Sequence, residues 1–242
     1  MKKILLIATG GTIASSESEG GLTPSIDVKR LLAYIPDIKS VCQLDGISVM
    51  NVDSTNMNPS LMAAIAQAVA DNYESYDGFV VAHGTDTMAY SAAAMTYMLK
   101  NLAKPVVFTG SQIPIEALYT DAKKNLSDAI RFACEIKLGR ITYNQVLDYS
   151  GHLQQLSRPV SGEFAIDTRL CPDILILKIF PGIRPDIFDF IKNTYRGVIF
   201  ESFGIGGIPN EQNDIVAKIH ELIDAGVAVV ITTQCIYEGI DL

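Results

Sequence analysis

The chain has 242 residues, 48% of them hydrophobic and 19% charged, so it can bury a sizeable core in one or two domains and is too apolar for a disordered polymer. The 27 acidic residues outnumber the 19 basic ones, for a formal net charge of −8, which argues against a general nucleic-acid binder. Four dispersed cysteines (Cys42, Cys134, Cys171, Cys235) form no CxxC and have no histidine beside them; they argue against zinc and are read as buried free thiols in a reducing compartment.

Residues 3–8 are a short unbroken apolar run ending at Gly10 and Gly11, the pattern of a strand covered on both faces. The run is shorter than a secretory core of ~7–15 residues and lacks an Ala-x-Ala site, so it is read as a strand and not a leader. No stretch approaches the ~20 apolar residues of a membrane span, and a cytoplasmic protein is expected. Residues 27–34 have a helical pattern, stopped by Pro36, and 47–52 read as a second strand. Asn58 followed by Pro59 is a helix start, and 60–70 is rich in helix formers. Residues 78–82 make a third buried strand, 87–101 an Ala/Met-rich helix, 105–109 a fourth strand and 121–134 another helix.

Residues 137–168 are more polar and are expected to hold a hairpin and a linker. A second block follows, with strands at 173–180, 197–201 and 227–232 and helices at 185–193 and 211–225. The alternation predicts an α/β fold with a mostly parallel sheet and helices on both of its faces. The expected division is a larger N-terminal domain over 1–150, a linker over 151–170 and a smaller, shortened α/β domain over 171–242.

Ligands of open parallel sheets bind beyond the carboxyl ends of the strands. The four strand tips of the N-terminal half read Thr9-Gly10-Gly11-Thr12, Asp53-Ser54-Thr55-Asn56, His83-Gly84-Thr85-Asp86-Thr87 and Thr109-Gly110-Ser111-Gln112. Each is an ordinary turn composition by itself. Together they can converge on one crevice, where glycines admit a ligand to backbone N–H groups and hydroxyls fix its polar ends. No G-x-G-x-x-G or phosphate-loop pattern follows a strand; Gly204-Ile205-Gly206-Gly207 has Pro209 in the sixth place. G-x-S-x-G is absent, His83 reads as a packed residue, and His152 and His220 suggest nothing. The remaining nucleophile candidates are threonines, which need a base or a polarising neighbour. Asp86 is placed to activate Thr85 or to grip an ammonium, and N–H groups near Gly11 or Gly84 to hold an oxyanion.

At these residues the sequence resembles the bacterial type I L-asparaginases of the asparaginase/glutaminase family. Thr9-Gly10-Gly11-Thr12-Ile13-Ala14 is similar to the family's first signature and His83-Gly84-Thr85-Asp86-Thr87-Met88-Ala89-Tyr90 to its second. Asp53-Ser54-Thr55-Asn56-Met57 and Thr109-Gly110-Ser111-Gln112-Ile113-Pro114 match two further segments. The resemblance implies hydrolysis of L-asparagine to L-aspartate and ammonia without metal or cofactor. It implies Thr12 as a nucleophile forming an acyl-enzyme, with Thr85 and Asp86 as a second catalytic group. Asp86 would also hold the substrate ammonium and Ser54 its carboxylate, with Gly11, Asp53, Thr55 and Gly84 lining the substrate. A homodimer or homotetramer is expected, with no nucleic-acid or membrane partner.

The sequence departs from the family in three places. Relatives carry a lysine in a strand and loop after the helix that ends near Glu135, whereas here Glu135 runs into Ile136-Lys137-Leu138-Gly139-Arg140. Lys137 is either a remnant of that lysine motif or part of the later hairpin. Relatives continue beyond a segment like Thr232-Thr233-Gln234-Cys235, and many have a tyrosine near the position of Leu22. Loss of a central strand would leave backbone groups unpaired, so residues are expected to be missing between Glu135 and Ile136. Two other functions share the pattern: an impaired binder of aspartate or asparagine, and the amidase subunit of a tRNA-dependent amidotransferase, which would bring a partner subunit.

Overall fold

A computed structural model describes residues 1–18, 21–24, 28–134, 139–142, 145–148, 162–211 and 213–235. The chain divides into two compact units, Met1–Arg169 and Leu170–Leu242.

In the first unit, β1 (Lys3–Gly10) is followed by a hairpin of β2 (Ser15–Ser18) and β3 (Gly21–Pro24), then α1 (Val28–Ala33) and β4 (Gln43–Val52). Next come α2 (Pro59–Asp71), β5 (Gly78–Ala82), α3 (Met88–Met98), the two-residue β6 (Leu99–Lys100), β7 (Val106–Thr109) and α4 (Ala122–Cys134). A second hairpin joins β8 (Gly139–Thr142) to β9 (Gln145–Asp148), and β10 (Ala165–Ile166) closes the unit. The main sheet has the order β4-β1-β5-β7, and every pairing in it is parallel.

The alternation of side chains along β1 explains the layers. Ile4, Leu6 and Ala8 point into one core with Val80, Ala82 and the inner faces of α1 and α4, including Leu31, Leu126 and Ile130. Leu5 and Ile7 point into a second core with Phe79, Val81, Ile65 and Val69 of α2, and Met95 and Met98 of α3. Period-two alternation with both faces covered makes the strand apolar throughout, which is why it reads as an unbroken run. Helices therefore cover both faces, as the sequence predicts.

Some boundaries differ from expectation. The second strand starts at Gln43 rather than 47, because it lies at the sheet edge, where polar Gln43 and Asp45 are tolerated. Asp45 accepts a hydrogen bond from Tyr76 Oη at 3.1 Å. The helix expected over 87–101 stops at Met98, since Leu99–Lys100 pairs antiparallel with Ala165–Ile166 and Asn101 takes a left-handed φ of 56°. Residues 165–169, inside the expected linker, are thereby held by the first unit; Lys100 and Arg169 both pair with Asp167. Asn58 caps α2 as expected, its Oδ1 accepting from Leu61 N at 3.1 Å.

The cysteines are not uniformly buried. Cys42 lies in the first core, its thiol hydrogen-bonded to that of Cys134, and burial is the main cause that pushes its pKa up to about 12. Cys134 is half-buried, while Cys171 and Cys235 are exposed because they sit in the loops flanking the second unit's sheet.

The second unit is a parallel sheet of β11 (Ile174–Lys178), β12 (Gly197–Ser202) and β13 (Ala228–Thr233), in the order β11-β12-β13. It packs on α5 (Asp186–Thr194) and α6 (Ile215–Asp224) through Phe188, Ile191, Val198, Phe200, Ile215 and Ile219. The last helix begins at 215 rather than 211, because Asp214 is its cap and accepts from Ala217 N at 2.9 Å. Among the described residues no helix is long and apolar enough to cross a membrane. The Glu135–Ile136 junction, Lys137 and His152 lie outside the described residues.

Candidate active site

The carboxyl ends of β1, β5 and β7 and the loop after β4 meet in the first unit. Gly10 and Gly11 have φ of 102° and 75°, the left-handed region that favours glycine. Gly11 N donates to Val52 O at 3.0 Å, which ties the first loop to the end of β4. A Cβ on Gly11 would lie 2.5 Å from both Cα and N of Gly84. The two backbones are therefore in direct contact, and the residue after each glycine is a threonine, Thr12 or Thr85. Thr12 begins a short 3-10 turn (Thr12–Ala14) and is half-buried, as is Thr85.

Gly84 also faces Ser54. A Cβ on Gly84 would strike Ser54 Oγ and fall 2.6 Å from Ser54 Cβ. Ser54 is buried, and its Oγ donates to Asp86 Oδ2 at 3.2 Å. Thr87 Oγ1 donates to Ser54 O at 2.8 Å, fastening the two loops a second time. The structure thus brings together Gly11, Ser54, Gly84 and Asp86, with Thr12 and Thr85 next to the glycine contact. Asp53 and Thr55 turn toward each other instead. Asp53 Oδ1 accepts from Thr55 N at 2.9 Å and Thr55 Oγ1 at 2.8 Å, capping the turn Ser54–Asn56. These bonds, the backbone one first, hold the exposed Asp53 carboxyl below its ordinary range.

His83 is fully buried and packed. Its Nδ1 lies 2.7 Å from Gly84 O, and its Nε2 lies 2.9 Å from Ser91 Oγ. The pairing fits a neutral ring whose Nδ1–H donates to the carbonyl and whose Nε2 accepts from the serine. Burial pushes its pKa below the ordinary 6.5, opposed by the Gly84 bond. His83 fixes the Gly84 peptide rather than facing the crevice.

The loop after β7 forms the remaining wall. Its residues Thr109–Ile113, with Thr85, Met88, Phe108, Asp121, Lys124 and Asn125, line a cavity of roughly 810 Å³. That is the size of a small-molecule site. A Cβ on Gly110 would lie 2.5 Å from His83 O and 3.3 Å from Thr85 Cγ2, so only a glycine lets the loop pass this close to His83 and Thr85. Asp121 accepts from Gln112 N (Oδ2) and Ile113 N (Oδ1), both at 3.1 Å. Asn125 Nδ2 donates to Gly110 O at 2.9 Å and to Asp121 Oδ2 at 3.1 Å. Thr120 Oγ1 donates to Ile113 O at 3.1 Å. Sequence reading missed these three residues as parts of the site, because Thr and Asp before a helix and Asn inside one are ordinary capping and turn chemistry. The four-residue return from Asp121 to Asn125 across one helical turn is the signal that could have found them.

The second unit has a depression of roughly 580 Å³, lined by Leu177, Phe180, Ile183, Ile187 and Phe190. Its charged residues Arg184 and Asp186 pair with each other at 2.5 Å, so it lacks the convergent polar groups of the first. Among the described residues no three His, Cys, Asp or Glu side chains are grouped to hold a metal. Leu22 falls on β3, with its side chain outside the described ones.

The family model for the N-terminal asparaginase domain matches residues 3–142, and that for the glutaminase/asparaginase C-terminal domain matches 173–242. The chain belongs to the asparaginase family. The L-asparaginase of Thermococcus kodakarensis is 30% identical, with 99% of this chain and 82% of that protein covered. Its solved structure superposes with a TM-score of 0.85 at 28% identity over 99% of this chain and 82% of that one. L-asparaginase 1 of Escherichia coli K12 is 31% identical over 97% of this chain and 80% of its own length. A glutamyl-tRNA(Gln) amidotransferase subunit of Pyrococcus abyssi is also 31% identical; this chain is covered completely but spans 65% of that protein. The match to the T. kodakarensis asparaginase runs over 275 positions, so that family member carries residues with no counterpart among the 242 here.

Proposed function

We propose that the chain is a cytoplasmic L-asparagine amidohydrolase of the bacterial type I kind, working as a homodimer or homotetramer. The observation that carries this reading is the meeting of Gly11 with Gly84 beside the bond from Ser54 to Asp86. It sets two threonine-bearing loops against each other and puts a hydroxyl and a carboxylate together at one end of the crevice. A small zwitterion suits such a site: Asp86 pairs with the substrate ammonium and Ser54 donates to its carboxylate. Thr12 Oγ attacks the side-chain amide carbon, its hydroxyl proton passes to the amide nitrogen, the C–N bond breaks and ammonia leaves. Water then attacks the resulting ester, freeing L-aspartate and the Thr12 hydroxyl. Thr85 and Asp86 form the second catalytic group, and N–H groups beside Gly11 and Gly84 face the developing oxyanion.

The test is release of ammonia from L-asparagine by the purified protein and by Thr12→Ala. The variant is expected to lose at least about 10⁴-fold in kcat, with L-aspartate binding retained in calorimetry. Turnover that survives in the variant would remove Thr12 from its role.

A second reading is the amidase subunit of a tRNA-dependent amidotransferase. It is favoured by the 31% identity to the amidotransferase chain of P. abyssi. Turnover of free L-asparagine by the isolated chain at ordinary enzymatic rates, ~1–10³ s⁻¹, decides for the first reading. Turnover that appears only when a partner protein is added decides for the second.

A further inference from the structure

We propose that Asn125 and Asp121, on and just before α4, are positioning residues that set the rotamer of Thr85 through the loop after β7. This inference rests on the asparaginase reading for its kinetic consequence, although the geometry is independent of it.

The chain of contacts is short. Asn125 Nδ2 holds Gly110 O at 2.9 Å, and Gly110 passes close enough to Thr85 and His83 that a Cβ on it would sit 3.3 Å from the Thr85 methyl and 2.5 Å from the His83 carbonyl oxygen. A threonine has three staggered χ1 positions, and a wall against Cγ2 selects where Oγ1 points. Asp121 makes that wall rigid. Its two carboxylate oxygens take the successive N–H groups of Gln112 and Ile113, and one of them also accepts from Asn125. The hold is made entirely on backbone atoms of Gly110, Gln112 and Ile113. It therefore acts on the path of the loop and is indifferent to which side chains the loop carries. Asn125 stands on, and Asp121 directly precedes, the helix whose Leu126, Ala129 and Ile130 are buried in the first core. The loop is thus referred to the most rigid part of the unit rather than to other loops. A reacting group misplaced by about 1 Å can cost on the order of 100-fold in rate, so a two-step hold of this kind is expected to be visible in kcat.

The experiment compares Asn125→Ala, Asp121→Asn and Asp121→Ala with the unmodified chain. Steady-state hydrolysis of L-asparagine is measured together with the three-bond couplings of the Thr85 methyl in a threonine-labelled sample. In the unmodified chain the couplings of a single rotamer are expected. Asn125→Ala should average them and lower kcat by about 10- to 100-fold while KM moves by less than about threefold. Asp121→Asn keeps one acceptor oxygen and should fall between the unmodified chain and Asp121→Ala in both readouts. Amide exchange at Gln112 and Ile113 should rise in the same order. A general loss of folding would lower the active fraction but would leave the Thr85 couplings of the remaining folded protein unchanged, and that result overturns the proposal. So does a single Thr85 rotamer in Asn125→Ala with kcat intact. If the unmodified chain releases no ammonia, the asparaginase reading fails by itself. The averaging of Thr85 in Asn125→Ala then still decides the positioning role, for or against.

Discussion

Two parallel sheets stand in this chain, and their carboxyl ends are built from similar residues with opposite results. In the second unit the tip hydroxyls and amides are spent on main-chain carbonyls at and just beyond the neighbouring strands. Ser202 Oγ donates to Thr232 O at 2.7 Å, Thr233 Oγ1 donates to Gly204 O, and Gln234 Nε2 donates to Glu201 O at 3.0 Å and to Ile179 O. In the first unit glycines let the loops touch, and a side-chain hydroxyl meets a side-chain carboxylate. Gly11 meets Gly84, Ser54 meets Asp86, and Asn125 reaches back to Gly110. A polar tip beyond a parallel strand is thus not sufficient for a site. What separates the two is whether the polar side chains are used up on main-chain carbonyls or, where glycines bring the loops together, face one another in one space.

The glycines provide the sharpest way to break that comparison. Gly84→Ala is expected to lower asparagine turnover by at least about 100-fold, because its methyl would occupy the place of Ser54 and push the loops apart. Gly226, before β13, has a φ of 84° and no atom within 4 Å of the place a methyl group would take, so Gly226→Ala should cost about 1 kcal/mol and leave turnover unchanged. Melting curves and ammonia release on both variants check the pair. Equal loss of activity in the two would erase the distinction between the sheets.

The serines make a smaller contrast. Ser54→Ala is expected to raise KM by about tenfold, the effect of losing one hydrogen bond to a charged group. Ser202→Ala should leave KM untouched and lower stability by about 1 kcal/mol, the ordinary value for a neutral bond.

The pH response is smaller again. His83 is kept below its ordinary 6.5 by burial, so below that pH the unfolded chain binds a proton that the folded chain refuses. Its stabilising effect is complete above pH 6.5 and is lost as the pH falls toward the folded value. The melting temperature should therefore drop more steeply as the pH falls below 6.5 in the unmodified chain than in His83→Gln. Equal slopes would show that the ring charges without penalty. The smallest expected effect is chemical: alkylation at neutral pH should reach exposed Cys171 and Cys235 first and Cys42 last, since its thiol is pushed up to about 12. Peptide mass mapping over time reads the order.

Much of this is legible in the sequence alone. The unbroken run of β1 announces a strand with two covered faces, and Asn58-Pro59 announces α2, because both signals are local. The four tips were legible as a group for the same reason, since each directly follows a strand. The pairing of Leu99–Lys100 with Ala165–Ile166 was not, because two residues leave no period and the partner lies far along the chain. The early start of β4 was hidden by polar residues that only an edge position allows. Within the site, sequence placed Asp53 and Thr55 with Ser54, yet the first two cap a turn and only Ser54 reaches Asp86. Adjacent residues on a tight turn point in different directions, and spacing alone does not say which one faces inward. Asp121 and Asn125 were hidden by their resemblance to ordinary helix-start chemistry.

The grip of α4 on the β7 loop has a consequence for anyone wishing to redesign the range of accepted molecules. Gln112 and Ile113 are held through main-chain atoms, their N–H groups and the Ile113 carbonyl, and both side chains are exposed. Their identities can be randomised without disturbing the anchor, whereas Gly11, Gly84 and Gly110 admit no replacement that keeps the loops in register. The crevice is in this sense a fixed frame with an interchangeable rim, and libraries aimed at the rim should retain folded members at high frequency.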